Sequence, residues 1–303
     1  MTPELAERLQ AAGLDPQAVD NLVRTALAED GETDVTSEPI FGPAETCTAD
    51  FTARAPGVVA GIPVAEVVFE ILGLSLTRGV SRTSRGEGAG NATSQRVRDG
   101  DVVGAGEVIM TVSGPTRDVL RAERTALNLL THLSGIATAT REWADAMAGT
   151  RARVRDTRKT LPGLRALQKY AVRQGGGVNH RMGLHDVALI KDNHIAAAGS
   201  ITKAYEAIRA AHPELHIQVE CDTLDQVGEA LAVGAASILL DNMTDAEMTE
   251  AVRRVAGRAE LEASGGLTVS RARDVAVTGV DYLAVGALTH SAHVLDIGLD
   301  FRA

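Results

Sequence analysis

Apolar residues recur at helical spacing along the first 24 positions: Leu5, Leu9 and Leu14, then Val19, Leu22 and Val23. That spacing predicts a helical start. Over residues 46–113 the pattern changes to short alternating runs broken by glycines. Residues 48–54, 57–61 and 102–112 read as strands and turns, with one helix near 63–72. Past Pro115 a long helical pattern covers 116–148, with a break expected at Ser134-Gly135. A further helix is predicted over 162–173, opened by Pro162 and closed by Gly175-Gly-Gly177. Apolar strand-like runs follow at 152–157, 188–192, 217–222, 237–242, 259–264 and 282–288. Amphipathic helical segments at 201–211, 224–233, 245–255 and 270–278 separate the later ones. Strand followed by helix, repeated with short connections, predicts a parallel β/α architecture, closed or nearly closed into a barrel. The fold class is therefore α/β. Residues 1–115 form an N-terminal domain, 116–290 a barrel, and 291–303 a tail expected to pack back on the N-terminal part.

Composition narrows the setting. The chain has 303 residues, 45% hydrophobic and 23% charged, enough for about two globular domains. Aromatics are only 3%, so the core must be built from Ala, Val, Leu and Ile. A net charge of −10 argues against a general nucleic-acid surface. Cys47 and Cys221 are far apart and in no ligand-like spacing, which fits a reducing cytoplasm rather than a disulfide framework. No signal peptide is expected from the opening residues. The longest apolar stretch, 57–74, carries Glu66 and Glu70 and is too short and too charged to span a bilayer. No membrane partner is expected. The Ser-, Gly- and Arg-rich segment 82–98 reads as a mobile loop. Its Gly86-Glu-Gly-Ala-Gly90 run lacks the strand and helix context of a nucleotide loop.

Against the acidic background stands one basic window. Residues 151–191 hold seven Arg and three Lys against two Asp. Working groups of β/α barrels gather at the C-terminal ends of the strands. Here those ends read Arg155-Asp-Thr-Arg-Lys159, Lys191-Asp-Asn-His194, Glu220-Cys-Asp222, Asp241-Asn-Met243, Glu262-Ala-Ser-Gly-Gly266 and Val285-Gly-Ala-Leu288. Ser264, Gly265 and Gly266, with Gly286 and Ala287, expose backbone N–H groups on two late strands, the pattern of a barrel phosphate site. Glu220 and Asp241 suit ribose hydroxyls or Mg²⁺, directly or through water, or ion pairs with neighbouring cations. Glu262 and Asp222 are weaker candidates of the same kind. Arg158, Lys159, His180 and Arg181 suit a ligand with more than one planar anion, because Arg binds carboxylate or phosphate through two parallel hydrogen bonds. Arg165, Lys169 and Arg173 fall at i, i+4 and i+8 and read as a solvated basic face. A metal trio of His180, His185 and Asp186 is disfavoured by the adjacent Arg181. Lys191 suits either a Schiff base or an anion. Asp192 and Asp186 nearby would keep it charged, which favours the anion.

These motifs resemble the quinolinate phosphoribosyltransferase family. The resemblance is carried by Glu123-Arg-Thr-Ala-Leu-Asn-Leu-Leu130, Asp156-Thr-Arg-Lys-Thr-Leu-Pro-Gly163, Gly175-Gly-Gly-Val-Asn-His-Arg181 and Leu189-Ile-Lys-Asp-Asn-His194. Leu239-Leu-Asp-Asn242, Glu262-Ala-Ser-Gly-Gly266 and the run from Gly279 to Ser291 continue it. It is looser N-terminally, where Glu29-Asp-Gly-Glu-Thr-Asp-Val-Thr36 departs slightly and the 82–98 segment is longer than usual. The resemblance implies an N-terminal α/β sandwich domain and a C-terminal barrel of seven strands, open and TIM-like. It implies a homodimer with Arg124 contributed across the interface. It also implies transfer of phosphoribosyl from phosphoribosyl pyrophosphate to quinolinate with Mg²⁺, loss of CO₂, and a place in NAD biosynthesis. By resemblance Arg124, Thr157, Arg158, Lys159, His180, Arg181, Lys191, Glu220, Asp241, Ser264, Gly265, Gly266, Val285, Gly286, Ala287 and His290 bind substrate. Lys159, Lys191, Glu220 and Asp241 are the catalytic set, with Glu220 and Asp241 toward the metal. The alternatives are a related protein of molybdate-transport operons, a nicotinate phosphoribosyltransferase, a Schiff-base aldolase using Lys191, or a non-catalytic phosphate-binding protein.

Overall fold

The computed structural model describes residues 1–81 and 95–302. In chain order its first elements are α1 (Pro3–Ala11), α2 (Pro16–Glu29), α3 (Ser37–Ile40), β1 (Thr46–Ala53), β2 (Gly57–Val58), α4 (Ile62–Ile71) and β3 (Ser75–Arg78). Then come β4 (Val80–Ser81), β5 (Gln95–Arg96), β6 (Val102–Val103), β7 (Val108–Pro115), α5 (Thr116–Ala146), β8 (Arg153–Arg155), α6 (Arg165–Gln174), β9 (Ala188–Ile190) and α7 (Asp192–Ala198). The rest are α8 (Ile201–Ala211), β10 (Ile217–Cys221), α9 (Leu224–Ala232), β11 (Ser237–Asp241), α10 (Asp245–Val255) and β12 (Glu260–Ser264). A 3₁₀ turn (Val269–Arg271) leads into α11 (Ala272–Val277), followed by β13 (Tyr282–Ala284), α12 (Ala287–His290) and β14 (Ile297–Phe301). Among the described residues no helix is long and apolar enough to cross a membrane. Of the 82–98 segment, residues 82–94, including Gly86 to Gly90, lie outside the described residues, and Gln95–Arg96 is the strand β5.

Two compact units divide the chain. One comprises Met1–Ala139, Ala166–Gly176 and Ala292–Ala303, the other Thr140–Arg165 and Gly177–Ser291. This differs from the expected boundary at 115/116, and side-chain bonding gives the reason. Along α5, the Ser134 hydroxyl takes the Ala60 N–H at 3.0 Å and the Thr138 hydroxyl takes the Val58 N–H at 2.9 Å. On α6, Gln168 meets His132 at 2.9 Å, and the Tyr170 hydroxyl donates to Asp99. Much of both helices thus belongs with the N-terminal residues.

The first unit holds an antiparallel sheet in the order β14-β1-β7-β3. The tail strand β14 pairs with β1, Leu299 opposite Phe51. Thr2 and Asp15 cap α1 and α2, each followed by a proline whose missing N–H costs nothing at the first helical turn. Helix α4 buries Ile62, Val64, Ala65, Val67, Val68 and Phe69, and Phe69 meets Phe51 edge to face at 5.4 Å between centroids. Helix α5 runs unbroken where a break was expected at Ser134-Gly135. Gly135 is there for a close approach: a Cβ on it would collide with the His293 carbonyl oxygen. The predicted basic face of α6 is also corrected. Lys169 is only 1% exposed, although Arg173 one turn on is exposed.

The second unit is a six-stranded parallel sheet, β8-β13-β12-β11-β10-β9, and all six strand-like runs become strands. The seventh strand of the expected barrel is reduced to one bridge, Val178 to Arg155. The sheet curls: His180, just past that bridge, reaches Gln218 on β10. Thr223 with Gln226 and Thr244 with Glu247 form capping boxes that start α9 and α10 immediately after their strands. Short loops of this kind hold the strand ends in fixed register.

Candidate active site

The candidate residues of the second unit collect at the C-terminal ends of its strands. After β8, Asp156 is fully buried. Its carboxylate accepts the His180 N–H at 2.8 Å and the Asn179 amide, tying this strand end to the segment beyond Val178. Thr157 Oγ1 accepts the Lys159 N–H at 3.0 Å, and the Lys159 carbonyl accepts from Thr289 Oγ1 at 2.8 Å. A Cβ on Gly286 would press against the Lys159 stem, His290 Nε2 and Thr157 Oγ1, so these residues share one corner. His290 is exposed, its Nδ1 2.6 Å from Ser291 Oγ.

Arg158 and Arg181 form the second feature. Burial lowers the Arg181 pKa first and repulsion from Arg158 lowers it further, while Asp186 partly opposes both. The Arg158 Nε is buried and has no hydrogen-bond partner among the described residues. One Arg181 terminal nitrogen is spent on the Val187 carbonyl at 2.9 Å. An anion with two planar groups would relieve the repulsion between the two guanidiniums. Asp186 instead accepts the N–H groups of Met182 and Gly183, and its carboxyl lies below the ordinary value: burial raises it, but those bonds, its own backbone N–H and the charge of His185 outweigh that. Among the described residues no group of three or more His, Cys, Asp or Glu could hold a metal.

On the next strands, Lys191 Nζ donates to Glu220 Oε2 at 2.8 Å with the lysine 46% exposed. Its partner is therefore Glu220, and not Asp192 or Asp186. Asp241 ends β11 and accepts from the Asn242 amide at 2.6 Å. Glu220 Oε1 and Asp241 Oδ1 carry no hydrogen bond among the described residues. Gly265 and Gly266 have φ of 91° and 58°, which only glycine adopts without strain, and a Cβ on Gly265 would meet the Asn242 side chain. Gly286 begins α12. Val285 does not present itself: its side chain is 3% exposed and its N–H is bonded to the Arg155 carbonyl at 2.9 Å.

Glu262 departs from its expected place among the mouth carboxylates. It is 1% exposed and paired with Arg155 at 2.7 Å, and His180 Nε2 lies 3.4 Å away. Burial raises its pKa, yet His180 and Arg155 together hold it below the ordinary carboxylate value. Asp222 is exposed. Sequence reading missed Asp156, Gln218, Asn242 and Thr289. For Asp156 and Gln218 a signal existed, a polar residue inside or directly after an apolar strand. Asn242 follows β11 as Asp156 follows β8, and Thr289, inside α12, gave no signal.

Arg124 lies in the first unit. It is exposed on α5 and lines a hollow of about 510 Å³ with Asn128, Thr131, His132 and residues 294–297. Burial lowers the His132 pKa.

Family models for the N-terminal and C-terminal domains of quinolinate phosphoribosyl transferase match residues 34–134 and 136–300. Nicotinate-nucleotide pyrophosphorylase [carboxylating] of Mycobacterium leprae is 50% identical over 289 residues, covering 93% of this chain and 97% of the relative. The probable enzyme of that name from Bacillus subtilis is 40% identical, covering 90% of each. The crystal structure of NadC from Streptococcus pyogenes superposes with a TM-score of 0.86 at 36% identity, covering 96% of this chain and 99% of that one.

Proposed function

The chain belongs to the quinolinate phosphoribosyltransferase family, and we propose that it joins quinolinate to phosphoribosyl pyrophosphate, releasing nicotinate mononucleotide, pyrophosphate and CO₂ in de novo NAD biosynthesis. The observation that carries this is the cluster past β8, where Asp156 ties the His180 backbone to the strand end and the Arg158 Nε is buried without a protein partner among the described residues, with Arg181 next to His180. Quinolinate is the complement of the two arginines, with two adjacent planar carboxylates on one ring. His180 stands beside Arg181 in the same cluster.

The remaining residues divide the second substrate. Glu220 and Asp241 accept the ribose hydroxyls. Ser264, Gly265, Gly266, Gly286 and Ala287 offer backbone N–H groups to the 5′-phosphate, Val285 only completing the turn. Thr157 and His290 border the Lys159 corner. Lys159 and Lys191 neutralise the pyrophosphate as the C1′–O bond breaks, and Glu220 and Asp241 favour the positive character that develops at C1′. The pyridine nitrogen takes the C1′ bond. The resulting pyridinium accepts the electron pair left as the neighbouring carboxylate departs, and solvent supplies the ring proton. No dedicated base is needed.

Mg²⁺ fits the two free carboxylate oxygens of Glu220 and Asp241, because magnesium is ordinarily held by one or two carboxylates plus substrate phosphates. When bound it supplies charge neutralisation at the pyrophosphate. The protein acts in the cytoplasm as a homodimer, with Arg124 reaching the partner's dicarboxylate site. An aldolase role for Lys191 is disfavoured by its bond to Glu220, which occupies the amine. Product chromatography separates the close alternatives: quinolinate should be converted and nicotinate left intact. Conversion of nicotinate instead would overturn the assignment.

A further inference from the structure

The inward face of the second unit's sheet is polar below the mouth. Period two along a strand places Gln218 beneath Glu220 on β10 and Glu262 beneath Ser264 on β12. Gln218 and Glu262 are both 1% exposed. Arg155 anchors Glu262 at 2.7 Å, and its guanidinium lies 3.5 Å from the centre of the Tyr282 ring. The other Glu262 oxygen, buried and without a hydrogen-bond partner among the described residues, faces His180 Nε2 at 3.4 Å, and the same nitrogen meets Gln218 Oε1 at 2.9 Å. Across the imidazole, Nδ1 accepts the Arg181 backbone N–H at 2.7 Å. A ring nitrogen that accepts carries no proton, so Nε2 holds it and points at the amide oxygen and the carboxylate. The ring is thus a strut between the buried floor and the backbone of Arg181.

We propose that Glu262 is a positioning residue for dicarboxylate recognition: fixed by Arg155 and flanked by Gln218, it sets the His180 ring, and the ring sets the backbone from which Arg181 reaches the substrate. This rests on the reading that Arg158 and Arg181 take the two carboxylates of quinolinate. A buried ion pair contributes little net stability for its desolvation cost, which leaves the fixing of geometry as its use.

The test is calorimetric binding of quinolinate and, separately, of phosphoribosyl pyrophosphate to the full chain and to Glu262→Gln, His180→Ala and the double variant. Glu262→Gln removes the negative charge that faces Nε2 and should weaken quinolinate about tenfold. Phosphoribosyl pyrophosphate affinity should be unchanged. In the His180→Ala background, Glu262→Gln should add nothing, because its effect runs through the ring. Equal weakening of both substrates, or full additivity with His180→Ala, would overturn the proposal. If Glu262→Gln does not fold, Gln218→Leu removes the other Nε2 partner and leaves the ion pair intact. It should show the same split, and no split there is equally fatal. Wild-type protein that bound no quinolinate would sink the assigned reaction. Wild-type binding with unshifted variants would sink only the role of Glu262.

Discussion

Arg158 and Arg181 are cations gathered against a chain of net charge −10, and their effect on each other sets the first prediction. Removing one member of a charge-assisted pair in a pocket costs about 2–5 kcal/mol. Arg158→Ala should therefore weaken quinolinate far more than phosphoribosyl pyrophosphate, and Glu220→Ala should do the reverse. Substrate-specific KM values check this, and equal losses would break the division of roles. Single residues were legible where their position alone decided their surroundings. Lys191, Glu220, Asp241 and Ser264 follow or end apolar strands, so the strand period places them at the mouth. Lys169 and Glu262 were misread for one physical reason. A charge in sequence looks wet, and nothing local tells of the tertiary partner that lets it be buried.

Helix α5 shows the same limit one level up. Its Ser134-Gly135 pair reads as a helix stop, yet the small residues serve tertiary contacts: a hydroxyl for the Ala60 N–H and an open face for the 293–294 backbone. Gly135→Ala should accordingly destabilise the protein, although alanine is the better helix former by about 1 kcal/mol. Thermal unfolding checks it, and a raised midpoint would contradict the packing account. The tail strand β14 gives a pH prediction. Burial raises the Asp50 carboxyl, but Arg302 at 2.9 Å and Thr111 at 2.6 Å hold it below its ordinary value. A carboxyl depressed in the folded state stabilises above its unfolded value, and that contribution is lost as pH falls through the folded value. Amide protection along the β1–β14 ladder should fall in acid, and Asp50→Asn should reduce protection at neutral pH and flatten the acid decline. Unchanged protection in the variant would refute it. The pairing of β14 with β1 across the chain was not legible in detail, since period-two alternation marks a strand and not its neighbour.

At the scale of the whole molecule, the strand-helix alternation made the second unit readable before any contact was known: six runs, six parallel strands. The seventh was not, because Val178 makes one bridge and leaves no run of its own. Arg124 belongs to the first unit and the dicarboxylate cluster to the second. If Arg124 acts across a dimer, mixing inactive Arg124→Ala with inactive Arg158→Ala protein should restore about a quarter of wild-type activity through randomly exchanged C2 heterodimers, each with one intact site. No recovery after subunit exchange would place Arg124 within its own chain's site. The central claim is decarboxylative phosphoribosyl transfer, and its most direct measurement is release of labelled CO₂ from quinolinate labelled in the carboxyl beside the ring nitrogen, with phosphoribosyl pyrophosphate and Mg²⁺. The account predicts CO₂, pyrophosphate and nicotinate mononucleotide in equal amounts, all abolished when phosphoribosyl pyrophosphate is omitted. Pyrophosphate formed without CO₂, or no turnover of quinolinate at all, would contradict it.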